Sequence, residues 1–216
     1  MRGFRFQDFK AQITNKELCT PTLDVWLLKI PNYDNKIDAY KAGISASNAG
    51  CGVYVLPEEN NKWTWVAGVY VTESDANTAL NQAGLPTDAI IHKYQINGKK
   101  FSLETDAYEP CQKVLYAVQS VFNLLLDLRL EINQAGDVNN LQLALTTTYN
   151  EIKDGAETLQ RLNTTLHHEF IATVIYTANQ NILGLQDVIY LNQNTVPSLT
   201  TVNNALLKTI FSLDNF

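Results

Sequence analysis

The chain has 216 residues, of which 45% are hydrophobic and 18% are charged, the composition of a folded globular protein rather than a disordered one. Its formal net charge is −6, and its lysines and arginines are not clustered. Because nucleic acids and anionic membrane surfaces are bound through clustered basic residues, we expect neither as a partner.

Three cysteines, Cys19, Cys51 and Cys111, are present without CxxC spacing. An odd number of cysteines excludes a fully paired disulfide framework in a chain of this size. We expect three reduced and mostly packed thiols. One disulfide with one free thiol is the alternative.

Residues 1–21 are interpreted as a tail or as the remnant of an anchor. Arg2 and Arg5 give the start a basic character, but residues 7–20 contain no apolar stretch like that of a signal peptide. No segment reaches the ~18 apolar residues of a membrane span. Two interpretations stay open: a cytoplasmic protein, or an extracytoplasmic protein of the cell envelope whose native anchor has been removed.

Residues 22–98 predict the order strand, helix, strand, strand, helix, strand. Short apolar runs bounded by Pro, Gly or Asn indicate the strands, and Ile37, Tyr40 and Ile44 follow a helical period in the first helix. The predicted strands are 23–30, 52–56, 63–71 and 89–96, and the predicted helices are 35–48 and 74–83. This βαββαβ order is typical of a ferredoxin-like α+β domain.

An internal repeat supports this division of the first half. The pattern Y-x-x-x-x-D-A occurs at Tyr33 and again 37 residues later at Tyr70, each time where a strand leads into a helix. The alanines of the two copies, Ala39 and Ala76, are small enough to allow close contact between helix and sheet. Two similar halves are what a split βαβ fold contains.

Residues 104–216 predict an all-α domain. Apolar residues recur at i, i+3 and i+4 through most of this half, and the connections are short, which favours antiparallel neighbours in an up-and-down helical bundle. The predicted helices are 106–134, 138–161, 162–191 and a last one that opens at 197–198. The second and third of these either form one helix or break near Asn163.

The junctions between strands and helices resemble those of the SPOR (sporulation-related repeat) family over residues 22–97. The stretch from Leu28 to Tyr33, followed by Ala39, is similar to the family's first strand and helix. The sequence Ala67-Gly68-Val69-Tyr70, followed by Ala76, is similar to its second junction. Lys29 stands where the family has Gln, Pro31 where it has Gly, and Asn32 where it has Ser.

The resemblance implies binding of peptidoglycan glycan strands on an open face of the sheet, in a protein of cell division or sporulation. Strand alternation places Val25, Leu27 and Lys29 on one face, with the helices on the other. On the third strand, Trp63 and Trp65 are then predicted to face the helices. The candidate glycan-binding residues on the open face are Lys29, Asn32, Lys62, Thr64 and Val66.

No catalytic or metal-binding constellation emerges from the sequence. Adjacent histidines such as His167 and His168 point about 100° apart on a helix and do not chelate one ion easily. The carboxylates Glu151, Asp154 and Glu157 follow the spacing of a solvated helix face. We therefore expect no enzyme, no metal and no cofactor.

Two functions follow as hypotheses. The first is a non-enzymatic cell-envelope protein that binds glycan strands through the SPOR-like domain. The second is a cytoplasmic ferredoxin-like sensor or scaffold, similar in topology to ACT-type modules that bind small ligands. In both, the helical bundle would bind a protein partner or associate with itself.

Overall fold

The computed structural model describes residues 15–82, 84–189 and 195–216. It is an α+β structure in which a four-stranded sheet is followed by long helices. The strands are β1 Asn15–Cys19, β2 Leu23–Tyr33, β3 Tyr54–Pro57, β4 Trp63–Tyr70, β5 Ile90–Ile96 and β6 Lys100–Glu104. The helices are α1 Lys36–Ser45, α2 Glu73–Gln82, α3 Thr105–Gln134, α4 Asn139–Leu166, α5 Glu169–Ile189 and α6 Leu199–Leu213.

The main sheet has the strand order β3-β4-β2-β5, and every neighbouring pair is antiparallel. Helices α1 and α2 pack on one face of it, which we call the helix face. Leu28, Ile30 and Trp65 lie there with both small residues of the repeat, Ala39 and Ala76, which are fully buried. The prediction that Trp63 and Trp65 face these helices is confirmed.

The opposite face of the sheet, which we call the reverse face, is formed around Val25, Leu27 and Val66. The sequence analysis predicted it to be open, and that prediction is wrong. These three side chains have 0% exposure because they belong to one buried core with the long helices, of which α6 packs directly on β3 and β4. The apolar character of the face explains this, since uncovered it would place a continuous apolar surface in water.

Specific contacts hold α6 against the sheet layer. The Phe211 ring stacks on Tyr54 with 4.6 Å between centroids and meets Tyr94 edge-on at 5.7 Å. The Asn204 side chain accepts a hydrogen bond from the backbone amide of Val53. A Cβ atom on Gly52 would lie 2.7 Å from Leu207 Cδ1, so a residue without a side chain is required for α6 to approach this closely.

The other faces of α6 contact the remaining helices. Helices α3, α4, α5 and α6 pack each against the next, and α3 also contacts α6. At the α5–α6 contact, Asn181 accepts a hydrogen bond from Thr209 (2.8 Å) and donates to Ser212 Oγ (3.1 Å). All three residues are buried. Helix α6 is thus the element that joins the sheet to the helical layer.

Two strands lie outside the sequence prediction. Residues 15–19, assigned to a tail, form β1, which pairs antiparallel with β6 and packs against α3. Leu18 and Leu103 are buried on the inner side of this two-stranded sheet. The tail prediction is therefore wrong for residues 15–19, and residues 1–14, with the suggested anchor remnant, lie outside the described residues.

The apolar residues that indicated α1 do not face the sheet. Ile37, Tyr40 and Ile44 are 64%, 51% and 50% exposed, while Ala39 and Gly43 make the contact with the strands. A short helix that rests on a sheet through small residues lies too close for larger side chains to enter the interface. These three side chains instead form an apolar stripe on the outer side of α1.

Candidate functional site

The five residues predicted to bind glycan do not form one surface. Thr64 and Val66 lie on the reverse face with no exposure to solvent. Lys29 shares that face but is only half-buried, and it lies near the exposed His92. Burial, and then the positive charge of Lys29, lower the pKa of His92. Of these three predicted positions on the reverse face, only Lys29 is partly accessible to a bound molecule.

The remaining two predicted residues lie at the end of the sheet. Asn32 is exposed in a bulge of β2 and has a left-handed φ of 72°. Lys62 forms a salt bridge with Asp34, which lowers the pKa of that carboxyl group. Asn32 and Lys62 thus lie near the end of β2 and the turn that follows it. Thr64 and Val66 are buried and do not share a surface with them.

A different place in the fold brings polar groups together around an open space. A cleft of about 440 Å³ lies where the end of β4 and helices α2, α3 and α6 meet the turn before β3. This volume is in the range of small-molecule sites. The cleft thus lies between the sheet layer and the long helices. Its lining includes Cys51, Tyr70, Asp75, Asp127, Arg129 and Asn203.

Arg129 is the central polar group of the cleft. Its Nη1 atom donates to the backbone carbonyl of Val69 (2.6 Å) and to Asn203 Oδ1 (3.1 Å). Its guanidinium lies over the Tyr70 ring, with 4.7 Å from Cζ to the ring centroid. These contacts come from α3, β4 and α6, so the position of the guanidinium is fixed by the junction of the two layers.

The Nε and Nη2 atoms of Arg129 have no hydrogen-bond acceptor and no ion-pair partner within the part of the chain that the structure describes. Burial lowers the pKa of Arg129, while Tyr70 and Asp75 raise it. An arginine has five donors in a fixed fork, and here only the Nη1 side of that fork is used. The other edge is available to a bound molecule.

Two further groups of the cleft, the Cys51 thiol and the Tyr70 hydroxyl, have raised pKa values. Burial raises the pKa of the Cys51 thiol. Burial also raises the pKa of Tyr70, against the opposing effect of Arg129. A nucleophile is activated by a lowered pKa, whereas the pKa values of these two groups are raised.

No family model matches the chain, and neither a curated protein nor a solved structure gives a significant match. Within the described residues, no group of three or more His, Cys, Asp or Glu side chains is placed to hold a metal ion. Among the same residues, no helix has the length and apolar character to cross a membrane.

His167 and His168 lie at the break between α4 and α5. His167 ends α4 with a left-handed φ of 48°, and His168 Nδ1 accepts a hydrogen bond from the backbone amide of Phe170 (3.2 Å). Asn163 accepts from the backbone amide of His168 at 2.7 Å. The sequence analysis left open whether this region is one helix or two, and the structure shows two.

Nothing in the sequence marks Arg129 as a site residue. It stands between Leu128, which is fully buried, and Leu130, which is 52% exposed, so it sits at the border of an ordinary helix stripe. Basic residues are common at such borders because they bury the stem and expose the charge. Its partners Val69 and Asn203 are 60 and 74 residues away in the chain, and only the fold unites them.

Proposed function

We propose that this protein is a non-enzymatic binding module that holds a small ligand in the cleft between its sheet layer and its long helices. The observation that carries this proposal is the guanidinium of Arg129, which is fixed by Val69, Asn203 and Tyr70 and offers an unpaired edge to the cleft. A preformed concave site with a few fixed polar groups is the usual form of a small-molecule site.

The cleft favours the second of the two hypotheses, a sensor or scaffold, while the topology of the sheet is compatible with both. The strand order β3-β4-β2-β5, with α1 and α2 on one face, agrees with a ferredoxin-like arrangement of residues 22–98. The neighbour relations of α3 to α6 agree with an up-and-down bundle. A ligand at the junction would contact both parts and would thereby stabilise one arrangement of the two.

Glycan binding on the reverse face is abandoned, because α6 occupies the surface that a sugar chain would need. The resemblance of residues 22–97 to the SPOR family, and the cell-envelope setting that it implies, do not depend on that face. They remain predictions, and so does the binding of a protein partner or a second copy through the helices.

The test is a titration with a library of small metabolites, followed by amide NMR spectra and by thermal shift. We expect at least one compound to shift the signals of α2 and α3 residues around Arg129 and to raise the melting temperature. Thr78 lines the cleft from α2. Thr78→Trp should therefore block binding, because the indole fills the space.

Asn77→Trp is the matched control, since Asn77 is the adjacent exposed residue of α2 and does not line the cleft. This variant should bind as the unchanged protein does. The proposal fails if no compound perturbs the cleft, or if the compounds that bind do so equally well to Thr78→Trp.

A further inference from the structure

The cleft contains both signs of charge. Arg129 provides one positive group, and Asp75 of α2 and Asp127 of α3 provide two negative ones. None of the three takes part in a salt bridge among the described residues. Asp75 nevertheless lies close enough to Arg129 to raise its pKa. The cleft therefore holds unpaired charges that a ligand could neutralise.

The free edge of Arg129 has the geometry that a carboxylate recognises. The Nε–H and one Nη2–H bond run side by side, so they can donate to both oxygens of one carboxylate. The Nη1 side is already committed to Val69 and Asn203, and one face of the guanidinium plane lies against Tyr70. These contacts leave the bidentate edge as the part of the guanidinium that faces a ligand.

The two carboxylates argue against a simple anion. The three groups carry a net charge of −1, and Asp75 lies near Arg129, so phosphate or sulfate bound at the arginine would be repelled by Asp75. A simple cation would leave the arginine uncompensated. A molecule that carries one anionic and one cationic group satisfies both sides.

The rest of the lining indicates the body of such a molecule. Val71 and Leu130 are large apolar residues of the cleft that are 51% and 52% exposed, and Leu126 is beside them. Covering these side chains by an aliphatic group would remove apolar surface from water, at about 25 cal/mol for each Å². A short aliphatic chain fits a cleft of about 440 Å³ together with its polar ends.

We propose that the ligand of this cleft is a small aliphatic zwitterion, a molecule with one carboxylate and one ammonium group. The carboxylate binds the Nε and Nη2 edge of Arg129. The ammonium group lies toward Asp75 and Asp127, and the aliphatic part covers Val71 and Leu130. This inference rests on the proposed function and specifies its ligand class.

The test is calorimetric titration of the full chain with three matched probes. L-leucine carries both charges, 4-methylpentanoate lacks the ammonium group, and 3-methylbutylamine lacks the carboxylate. We expect L-leucine to bind and each of the other two to bind at least about tenfold more weakly, because each leaves a charged group of the cleft without its partner.

Two variants assign the roles of the charges. Arg129→Lys keeps the charge but loses the fork, and Asp75→Asn removes one negative group; each should weaken L-leucine binding at least about tenfold. Because Arg129 also bonds Val69 and Asn203, its variant can lose stability, whereas Asp75 is exposed and its variant should fold normally. Glu73→Gln, an exposed change in the same helix turn outside the cleft, should bind L-leucine unchanged.

The zwitterion proposal is overturned if 4-methylpentanoate or 3-methylbutylamine binds as tightly as L-leucine, or if Asp75→Asn leaves the affinity unchanged. It is also overturned if neither L-leucine nor any other zwitterion binds while metabolites without paired charges shift the amide signals of the cleft, and in that case the proposed function stands. If no compound shifts those signals, the proposed function itself fails.

Discussion

Contacts of single atoms decide how closely the layers of this protein approach. Trp65 is fully buried on the helix face, and its Nε1 atom donates to the backbone carbonyl of Gly52 (2.8 Å). Gly52 in turn donates its amide to the carbonyl of Ala67 and lies against Leu207. One residue without a side chain therefore connects β4, the helix face and α6.

Replacement of this glycine should destabilise the fold. In Gly52→Ala the new Cβ would lie 2.7 Å from Leu207 Cδ1 and 3.3 Å from the Ala67 carbonyl oxygen. Leu207 has 0% exposure and little space into which to move. We expect a loss of about 1–3 kcal/mol in the free energy of unfolding, measured in urea. Asn48→Ala, an exposed change in the preceding turn, should stay within about 0.5 kcal/mol, and an equal loss in both variants would contradict this account.

The three cysteines are all free, and their thiols should differ in reactivity. Burial raises the pKa of Cys111 to about 12 and raises that of Cys51, whereas Cys19 is exposed on β1. Both buried thiols are shielded from a thiol reagent and have raised pKa values, and only thiolates react. A disulfide reagent should therefore label one thiol rapidly in the folded protein. Cys19→Ser should abolish this fast phase, and a fast phase that persists would show that a buried cysteine is accessible.

At the scale of elements, buried polar groups fix how α6 pairs with α5. Thr177, Asn181, Thr209 and Ser212 are all buried, and each makes at least one hydrogen bond. Such a network is satisfied in one register of the two helices and would be broken in another. We infer that these residues specify the position of α6, while the apolar residues around them supply most of the stabilisation.

Thr209→Val tests this inference with little change of shape. The valine keeps the volume but leaves Asn181 Oδ1 without the hydrogen bond that it now accepts at 2.8 Å. We expect a loss of about 1–3 kcal/mol in urea unfolding, the cost of an unsatisfied buried polar group. The control is Thr158→Val on α4, where the hydroxyl of a half-buried threonine bonds only Asp154 and Arg161 of its own helix. If both variants lose the same stability, the network has no special role.

Elements with strong local patterns could be predicted from the sequence, and those formed by distant partners could not. The four strands of the main sheet and the ends of α3 were predicted to within a few residues, because Gly, Pro and apolar runs mark them. Strands β1 and β6 were missed. Their sequences, NKELC and KFSLE, carry few β-branched residues, and each is a strand only because the other lies beside it.

The same limit applies to the candidate site. The alternation of side chains along β2 correctly predicts that Val25 and Leu27 lie on one face of the sheet and Leu28 and Ile30 on the other. It does not predict which elements cover each face. An apolar reverse face that contains Tyr54 as well is itself a sign of burial, whereas the resemblance to the SPOR family implies an open face. Arg129 is given its role by Val69 and Asn203, which no local pattern connects to it.

At the scale of the whole molecule, the sheet layer and the long helices share one core. Val25, Leu27 and Val66 belong to the same buried cluster as the inner residues of α3, α4, α5 and α6. The cleft around Arg129 lies on this junction, so its geometry depends on the two layers holding together. We therefore expect them to unfold as one unit, although their compositions differ.

The most direct measurement is urea unfolding of Leu207→Ala followed by two signals. All three tryptophans, Trp26, Trp63 and Trp65, lie in the sheet and report on it by fluorescence, while the circular dichroism at 222 nm reports mainly on the helices. Loss of the fully buried Leu207 should cost about 2–5 kcal/mol and move both midpoints down together, with coincident curves. If the fluorescence midpoint moves alone while the helical signal keeps its original midpoint, the two layers do not share a core and the account is wrong.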